Sequence, residues 1–244
     1  MNKKKTISII FPCRNEEKII SPILSKVPYF INQVIVVDNR STDKTAQIAK
    51  EKGVAVFKEK RQINGIGYGF AIQTGIKKAK GDYIVLMDGD KTYPMMKIKK
   101  VIELMEKEDI DFISCKRFPL SNWHDMSIIR FIGGKFLTLF TNFLFKTNIE
   151  DVLSGMWVFK KDIVPYLNLE PGDWNLSLSI KISAATAHNI NFFELLIPYK
   201  DRKIGTSKQN LIKTGLSHFI YLLKLKYNYL LKPSYPVRKF AVSA

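Results

Sequence analysis

The chain has 244 residues, 46% of them hydrophobic and 12% aromatic, so it can bury a full core and is not intrinsically disordered. Its 39 Lys and Arg outnumber 22 Asp and Glu, and the net charge of +17 attracts polyanions such as nucleic acid, anionic lipid headgroups or phosphorylated substrates. The two cysteines, Cys13 and Cys115, lie far apart in sequence, which favours reduced thiols in a cytosolic protein over a disulfide scaffold.

Strands and helices are predicted to alternate through the first half of the chain. Short β-branched or apolar runs predict five strands, at 6–11, 33–38, 54–57, 82–87 and 111–116. Helical patterns fall between them, at 15–26, 41–52, 68–80 and 95–107, and Ser41-Thr42-Asp43 is predicted to cap the second helix. This alternation predicts an α/β fold, a doubly wound and mostly parallel sheet with helices on both faces.

The second half of the chain is richer in aromatic and basic residues. A short strand is predicted at 156–159, and amphipathic helices are predicted at 126–146 and 211–231. The longest apolar run, 128–145, is interrupted by two charged residues and two glycines and falls short of the ~20 apolar residues of a membrane span. We therefore expect interfacial helices, with apolar faces toward lipid and lysines toward headgroups.

Two carboxylates follow the fourth predicted strand, in the sequence VLMDGDKTYP. Asp88 and Asp90 have only Gly89 between them, and like charges this close repel unless a cation is present. An ordinary Asp-Gly surface turn is the alternative. Ligands bind at the carboxyl ends of parallel strands, and the same edge carries Glu16 after the first strand and Asp38 at the end of the second. Carboxylates at three strand ends favour a site.

A glycine-rich loop, RQINGIGYG at 61–69, follows the third predicted strand. Such a loop at the start of a helix can place backbone N–H groups against phosphate oxygens, or it can simply connect two elements. It matches neither a Walker loop nor a Rossmann fingerprint, because the Gly-Lys-Ser/Thr ending is missing and the glycine spacing is different.

Five segments, taken in order, resemble the inverting GT-A glycosyltransferases, and in particular their polyprenyl-phosphate (dolichol-phosphate) mannosyl- and glucosyltransferase branch. They are IIFPCRNEEKI, VVDNRSTDKT, GIGYGFAIQTGIKKAKGDYIVLMDGDKTYP, DVLSGMWVFKKD and PYKDRKIGTSK, and the resemblance covers roughly residues 5–210. It implies a GT-A domain at 1–210, followed at 211–244 by a basic amphipathic extension that faces the membrane.

The resemblance also implies roles for individual residues. A UDP- or GDP-linked sugar donor would be bound by Pro12, Asn15, Glu16, Asp38, Asp88 and Gly89. Asp88 and Asp90 would hold Mg²⁺ or Mn²⁺ against the donor diphosphate, with Asp90 a catalytic residue, and hard oxygen ligands suit these cations. The acceptor phosphate would be surrounded by Arg117, Ser154, Arg202, Ser207 and Lys208, with Arg202 as a catalytic phosphate clamp.

Several positions depart from the pattern of these relatives. Asn39 and Arg40 stand where Asp-Gly is common, and Thr92 stands where lipid-phosphate relatives often carry a third metal-ligating side chain. Carboxylates common in relatives are replaced at Asn175, Ser177 and Ser179. The loss of an acid that could deprotonate a sugar hydroxyl favours a phosphate acceptor, unless Asp173 acts as the base.

These observations predict a metal-dependent transferase that moves a hexose from a nucleotide-sugar to a polyprenyl phosphate with inversion. It would work in the cell envelope pathway as a peripheral protein, on the cytoplasmic, inner face of the cell membrane, and would bind an anionic membrane surface. Two alternatives remain open: transfer to a sugar hydroxyl in surface polysaccharide, or a non-catalytic basic module that binds membrane or nucleic acid. The acidic strand ends disfavour nucleic acid, so no nucleic-acid partner is expected.

Overall fold

The computed structural model describes residues 5–89, 92–120, 122–200 and 209–231. The strands in these ranges are β1 Ile7–Cys13, β2 Gln33–Asp38, β3 Ala55–Lys58, β4 Tyr83–Met87, β5 Phe112–Lys116, β6 Met156–Lys160 and β7 Phe192–Leu196. The α-helices are α1 Glu17–Leu24, α2 Thr45–Glu51, α3 Tyr68–Lys78, α4 Ile98–Lys107, α5 Ile128–Phe145, α6 Leu176–Thr186 and α7 Leu211–Leu231.

The strands form one sheet in the order β3-β2-β1-β4-β6-β5-β7. All neighbouring strands are parallel except β6, which runs antiparallel to both β4 and β5. The predicted mostly parallel α/β sheet is confirmed. The reversal of β6 was not predicted, because a short apolar run such as Met156–Lys160 carries no information about strand direction.

Helices cover both faces of the sheet, and strand residues alternate between two cores, as a period of two requires. Phe11 of β1 packs in the core under α1, α2 and α4, whereas its neighbour Ile10 packs in the core under α3 and α6. Because β1, β2 and β4 are parallel, their carboxyl ends meet at one edge, with Cys13 opposite Asp38.

The predicted amphipathic helices are present as α5 and α7, which cover the outer side of α6. Leu178 and Ile182 of α6 pack with Leu137 of α5 and with Leu222 and Leu225 of α7. One face of each helix is therefore a core element. Within the described residues, one helix, α5, is long enough and apolar enough to cross a membrane, judged by length and composition. In this structure 28% of it is buried.

Helices α1 and α2 begin a few residues later than predicted. Asn15 adopts a positive φ of 52°, so α1 begins after it. The Asp43 carboxylate accepts the backbone N–H of Thr45, the first residue of α2, at 3.0 Å. It therefore holds a free N–H of the helix as predicted, although α2 begins only after Lys44, whose own side chain makes no capping bond.

Candidate active site

A cavity of about 540 Å³ lies at the carboxyl ends of β1 and β4. Its lining includes Pro12, Cys13, Arg14, Glu16, Asn39, Gly65, Ile66, Gly67, Tyr68, Ala71, Asp88, Gly89, Thr92, Tyr93, Arg117, Ser127, Arg130, Leu153, Gly155, Trp174, Tyr199, Gln209 and Leu211. The lining combines strand ends, the glycine-rich loop and the starts of α5 and α7. This is the edge at which ligands bind in open α/β sheets.

The loop after β1 is held against the loop after β2 by reciprocal hydrogen bonds. Asn15 accepts the backbone N–H of Thr42 at 2.8 Å, and its own N–H donates to the hydroxyl of Ser41 at 2.9 Å. The N–H of Glu16 donates to Thr45 Oγ1 at 2.7 Å. These contacts fix the position of the loop after β1 relative to the loop after β2. Pro12 and Glu16 line the cavity, whereas the Asn15 side chain supports the loop and is not part of the lining.

Asp38 lies behind the cavity wall. Its side chain is buried, and Oδ1 accepts the N–H of Ser41 at 3.2 Å.

The neighbouring thiol of Cys13 is buried, and its pKa is raised by that burial and then by the negative charge of Glu16. Burial also raises the pKa of Cys115 to about 12, and both thiols are free, as predicted. Neither is suited to act as a nucleophile at neutral pH.

Asn39, which departs from the family pattern, braces the glycine-rich loop. Its amide nitrogen donates to the carbonyls of Glu59 and Arg61, at 3.0 and 3.2 Å, and its oxygen accepts from Gln62 at 3.0 Å. A methyl group on Gly67 would lie 2.3 Å from the Asn39 amide, so only glycine fits there. The sequence left open whether this loop was only a connector; it lines the cavity and ends at the start of α3.

The carboxylate of Asp88 faces the cavity with one oxygen held by a tyrosine. Tyr68 donates its hydroxyl to Asp88 Oδ1 at 2.9 Å, and the Tyr68 ring packs on Trp174 with centroids 4.5 Å apart. The other oxygen, Oδ2, lies against the backbone of Gly155, where a methyl group would be 2.1 Å away. Both contacts orient the carboxylate toward the cavity.

The segment 151–155 that supports Asp88 is held from several elements. The N–H of Gly155 donates to the hydroxyl of Tyr93 at 2.8 Å. Ser154 donates its hydroxyl to the carbonyl of Cys115, and its own carbonyl accepts from Trp157 Nε1 at 2.8 Å. The Ser154 side chain is therefore buried, holds the segment in place through Cys115, and does not line the cavity.

Arg117 lines the cavity and is paired with Asp151. Nε and Nη2 donate to the two carboxylate oxygens at 2.7 and 2.8 Å, and the backbone N–H of Arg117 adds a third bond at 3.0 Å. Burial opposes ionisation of both groups, but the pair overcomes it, so the pKa of Asp151 is lowered and that of Arg117 is raised. The guanidinium also lies 5.5 Å from the ring of Tyr199.

Two of the three positions where relatives often carry carboxylates, Asn175 and Ser179, make hydrogen bonds around α6. Asn175 donates to both oxygens of Asp173, and it also bonds to Ser217 and His218 of α7. Ser179 donates to the carbonyl of Asn168. The substitutions thus join α6 to its neighbours, and both carboxylate oxygens of Asp173 already accept hydrogen bonds.

Of the residues proposed from the sequence, the cavity brings together Pro12, Glu16, Asp88, Gly89 and Arg117. Asn15, Asp38 and Ser154 stand behind it and support its walls, so their roles as ligands remain predictions. Asp90, Arg202, Ser207 and Lys208 lie outside the described residues. Sequence reasoning missed Tyr68, Tyr93 and Trp174, because an aromatic residue in a mixed pattern is read first as core.

The donor set fits a hard divalent cation that is shared with a ligand. Within the described ranges, no group of three or more His, Cys, Asp or Glu side chains is placed to hold a metal by itself. Mg²⁺ and Mn²⁺ in phosphate sites need only one or two carboxylates, because phosphate oxygens and water complete the shell. Asp88, which faces the cavity and stands two positions before Asp90 in the sequence, matches that requirement.

Comparison with solved structures identifies the fold. Glucosyl-3-phosphoglycerate synthase from Mycobacterium tuberculosis, in complex with Mn²⁺, UDP-glucose and phosphoglyceric acid, matches with a TM-score of 0.71 and 18% identity over 91% of this chain and 80% of that one. Mannosyl-3-phosphoglycerate synthase from Rubrobacter xylanophilus matches with a TM-score of 0.69 and 17% identity over 98% and 81%. The fold is that of the GT-A glycosyltransferases.

Residues 8–167 match the model of glycosyl transferase family 2, and the chain belongs to that family. The low-salt glycan biosynthesis hexosyltransferase Agl6 of Haloferax volcanii is 27% identical over 225 residues, which are 89% of this chain and 53% of the relative. The chain thus spans about half the length of that relative. A dolichyl-phosphate hexose transferase of the same organism is 25% identical over 202 residues, 80% of this chain and 83% of the relative.

Proposed function

We propose that this glycosyltransferase moves a hexose from a nucleotide-sugar to a polyprenyl phosphate, with inversion, at the cytoplasmic face of the membrane. Asp88 and Asp90 would hold Mg²⁺ or Mn²⁺ against the donor diphosphate. The bound cation would neutralise the charge that develops on the departing nucleoside diphosphate. Direct attack by an acceptor phosphate oxygen on the anomeric carbon gives inversion and leaves no covalent intermediate on the protein.

The observation that carries this proposal is that two helices, α5 and α7, both begin at the cavity. Ser127 and Arg130 at the start of α5, and Gln209 and Leu211 at the start of α7, line the cavity. From that point both helices present apolar side chains to solvent. Their exposed fractions range from 43% at Ile220 to 83% at Ile212, over Ile128, Ile129, Ile132, Phe136, Leu139, Phe143, Ile212, Leu216, Ile220, Leu223, Tyr227, Leu230 and Leu231.

These side chains follow helical spacing, so each helix carries one continuous apolar stripe that begins at the cavity. A lipid with a phosphate headgroup matches this arrangement, because its headgroup can enter the cavity while its chain stays on the stripes. The N-termini of α5 and α7 carry positive partial charge beside the cavity lining, which favours an anion there. The net charge of +17 supports reversible binding to an anionic membrane surface.

The chemistry of the lining favours an acceptor that is already ionised. Among the described residues, the carboxylates that line the cavity are Glu16 and Asp88. Glu16 lies in the loop after β1, on the side proposed to bind the donor, and Asp88 is oriented by Tyr68 and Gly155. Both oxygens of Asp173 are engaged by Asn175. A sugar hydroxyl would need a base, whereas a phosphate monoester, with a second pKa of about 6, needs none.

The residues of the chain would then work by positioning. Arg117, whose charge is balanced by Asp151, would present its remaining N–H groups near the phosphates without adding an unpaired buried cation. Arg202 remains our choice for the phosphate clamp, with Ser207 and Lys208 beside it in sequence. The dolichyl-phosphate hexose transferase supports the lipid-phosphate acceptor, and the solved relative with Mn²⁺ and UDP-glucose supports the donor and metal.

A panel of substrates tests this function. The purified chain is incubated with UDP- and GDP-linked hexoses, with Mg²⁺ or Mn²⁺, and with polyprenyl phosphate, 3-phosphoglycerate or free oligosaccharide as acceptor. Mass spectrometry should find a hexosyl polyprenyl phosphate, which EDTA and Asp88→Asn should abolish. Transfer to oligosaccharide alone would select the sugar-hydroxyl alternative, and transfer to 3-phosphoglycerate alone would select a soluble phosphate acceptor.

A further inference from the structure

Helix α6 contains a fully buried lysine. Residues 176–184 are all buried, and Lys181 in the middle of this stretch is 0% exposed. Burial lowers the pKa of Lys181, an effect that the negative charge of Asp151 opposes. A buried ammonium is costly unless all its N–H groups are bonded, so its contacts should explain why an otherwise apolar helix carries it.

The three N–H donors of Lys181 meet three backbone carbonyls of one segment. Nζ lies 3.3 Å from the carbonyl oxygen of Asp151, 2.8 Å from that of Val152 and 2.7 Å from that of Ser154. An ammonium has three donors, so this set satisfies it completely. The carbonyls of Asp151, Val152 and Ser154 therefore turn inward, toward α6, which would be costly without a buried donor.

The next residue of the segment is the one that seats the Asp88 carboxylate. Gly155 lies directly after Ser154, its backbone is in contact with Asp88 Oδ2, and its N–H is held by Tyr93. A movement of the segment by a few tenths of an ångström would therefore move or crowd the carboxylate. Lys181 itself does not line the cavity.

We infer that Lys181 is a positioning residue for the transfer reaction: by gathering the carbonyls of 151–154 it sets the backbone against which Asp88 is aligned toward the metal and diphosphate. The inference rests on the proposed role of Asp88 in metal binding. A side chain of α6, remote in sequence from the Asp-Gly-Asp motif, would thus help to set the orientation of the Asp88 carboxylate.

Two variants test the inference. Lys181→Gln keeps two donors in a shorter side chain, and Lys181→Met keeps the length and removes all three. Leu178→Met, on the same helix and equally buried but packed toward α5 and α7, is the matched control. Two quantities are measured: amide hydrogen exchange at Asp151 and Gly155, and the binding of UDP and of GDP with and without Mn²⁺.

We expect exchange at Gly155 to accelerate at least about ten-fold in both lysine variants and not in Leu178→Met. Mn²⁺-dependent nucleotide binding should weaken by about 10–100-fold, the usual effect of losing a group that orients a metal ligand, while metal-free binding stays unchanged. Unchanged exchange at Gly155, an equal loss of both kinds of binding, or failure of both variants to fold would overturn the inference. If the unmodified protein shows no Mn²⁺-dependent binding, the proposed function fails, and exchange at Gly155 still decides the role of Lys181.

Discussion

The carboxylate of Asp88 lies against the backbone of Gly155, so closely that a methyl group on Gly155 would be 2.1 Å from Asp88 Oδ2. No side chain fits between them without moving one of the two. The contact joins the loop after β4 to the segment before β6, the strand that runs antiparallel to its neighbours. The reversed strand thus brings Gly155, which is far from Asp88 in sequence, into contact with the Asp88 carboxylate.

Gly155→Ala should displace the Asp88 carboxylate and lower transfer by about 10–100-fold, as expected when a metal ligand is misaligned. Gly133→Ala is the matched control, because Gly133 lies in α5 with nothing within 4 Å of the position a methyl group would take. That control should keep full activity and gain up to about 1 kcal/mol of stability from its helix propensity. Initial transfer rates and melting temperatures of both variants check the prediction, and equal rates would refute it.

Tyr68→Phe should leave the ring on Trp174 and remove only the hydroxyl that donates to Asp88. We expect the concentration of Mn²⁺ needed for half-maximal activity to rise about ten-fold, with little change in melting temperature. Tyr229→Phe removes a hydroxyl that lies 3.5 Å from Thr186, between α7 and α6, and should leave the Mn²⁺ dependence unchanged. A Mn²⁺ titration of both variants measures this, and identical curves for Tyr68→Phe and the unmodified protein would contradict it.

Asp151→Asn should lower the free energy of unfolding by about 3 kcal/mol, because it leaves the guanidinium of Arg117, whose side chain is only 13% exposed, without its counter-charge. The exposed ion pair of Lys107 and Glu108 provides the control, and Glu108→Gln should leave the free energy of unfolding nearly unchanged. Urea unfolding monitored by circular dichroism measures both. A loss at Asp151 as small as the loss at Glu108 would show that the pair is not buried in solution.

His218 should make stability depend on pH, because burial and the charge of Lys181 lower its pKa from 6.5 to about 4. Below pH ~6.5 His218 binds a proton in the unfolded chain but stays neutral in the folded chain. The free energy of unfolding therefore falls as the pH falls toward 4. At about 1.4 kcal/mol per pKa unit, the total loss is about 3 kcal/mol. His218→Gln should flatten the dependence of the free energy of unfolding on pH, whereas His124→Gln, a change at an exposed residue, should leave it unchanged. Equal pH dependence in the two variants would contradict the prediction.

Much of the fold could be predicted from the sequence, because period-two and period-3.6 patterns report which faces are buried. The parallel order of β1, β2 and β4 then placed Glu16 and Asp88 at one edge without further information. Tertiary contacts could not be predicted in this way. The bonds from Lys181 to the segment 151–154 join residues about 30 positions apart, and a single lysine in an apolar helix carries no signal for its partners.

Binding to anionic vesicles should depend on the apolar stripes of α5 and α7. Phe143→Glu places a charge on the stripe of α5, where the side chain is 80% exposed, and should weaken flotation with the vesicles about ten-fold or more. Tyr29→Glu introduces the same charge at an exposed residue away from both helices and should float like the unmodified protein. High salt should weaken binding in every case. Undiminished flotation of Phe143→Glu would place the stripes away from lipid.

The most direct measurement compares polyprenyl phosphate with the matching polyprenol, presented in the same vesicles with the same nucleotide-sugar and Mn²⁺. The two acceptors share the lipid chain and differ only in the phosphate, so the ratio of initial rates isolates the group that attacks the sugar. We expect transfer to the phosphate only, with loss of product in Asp88→Asn. Transfer to the polyprenol at a comparable rate, or no lipid product while a soluble acceptor is glycosylated, would contradict a polyprenyl phosphate acceptor.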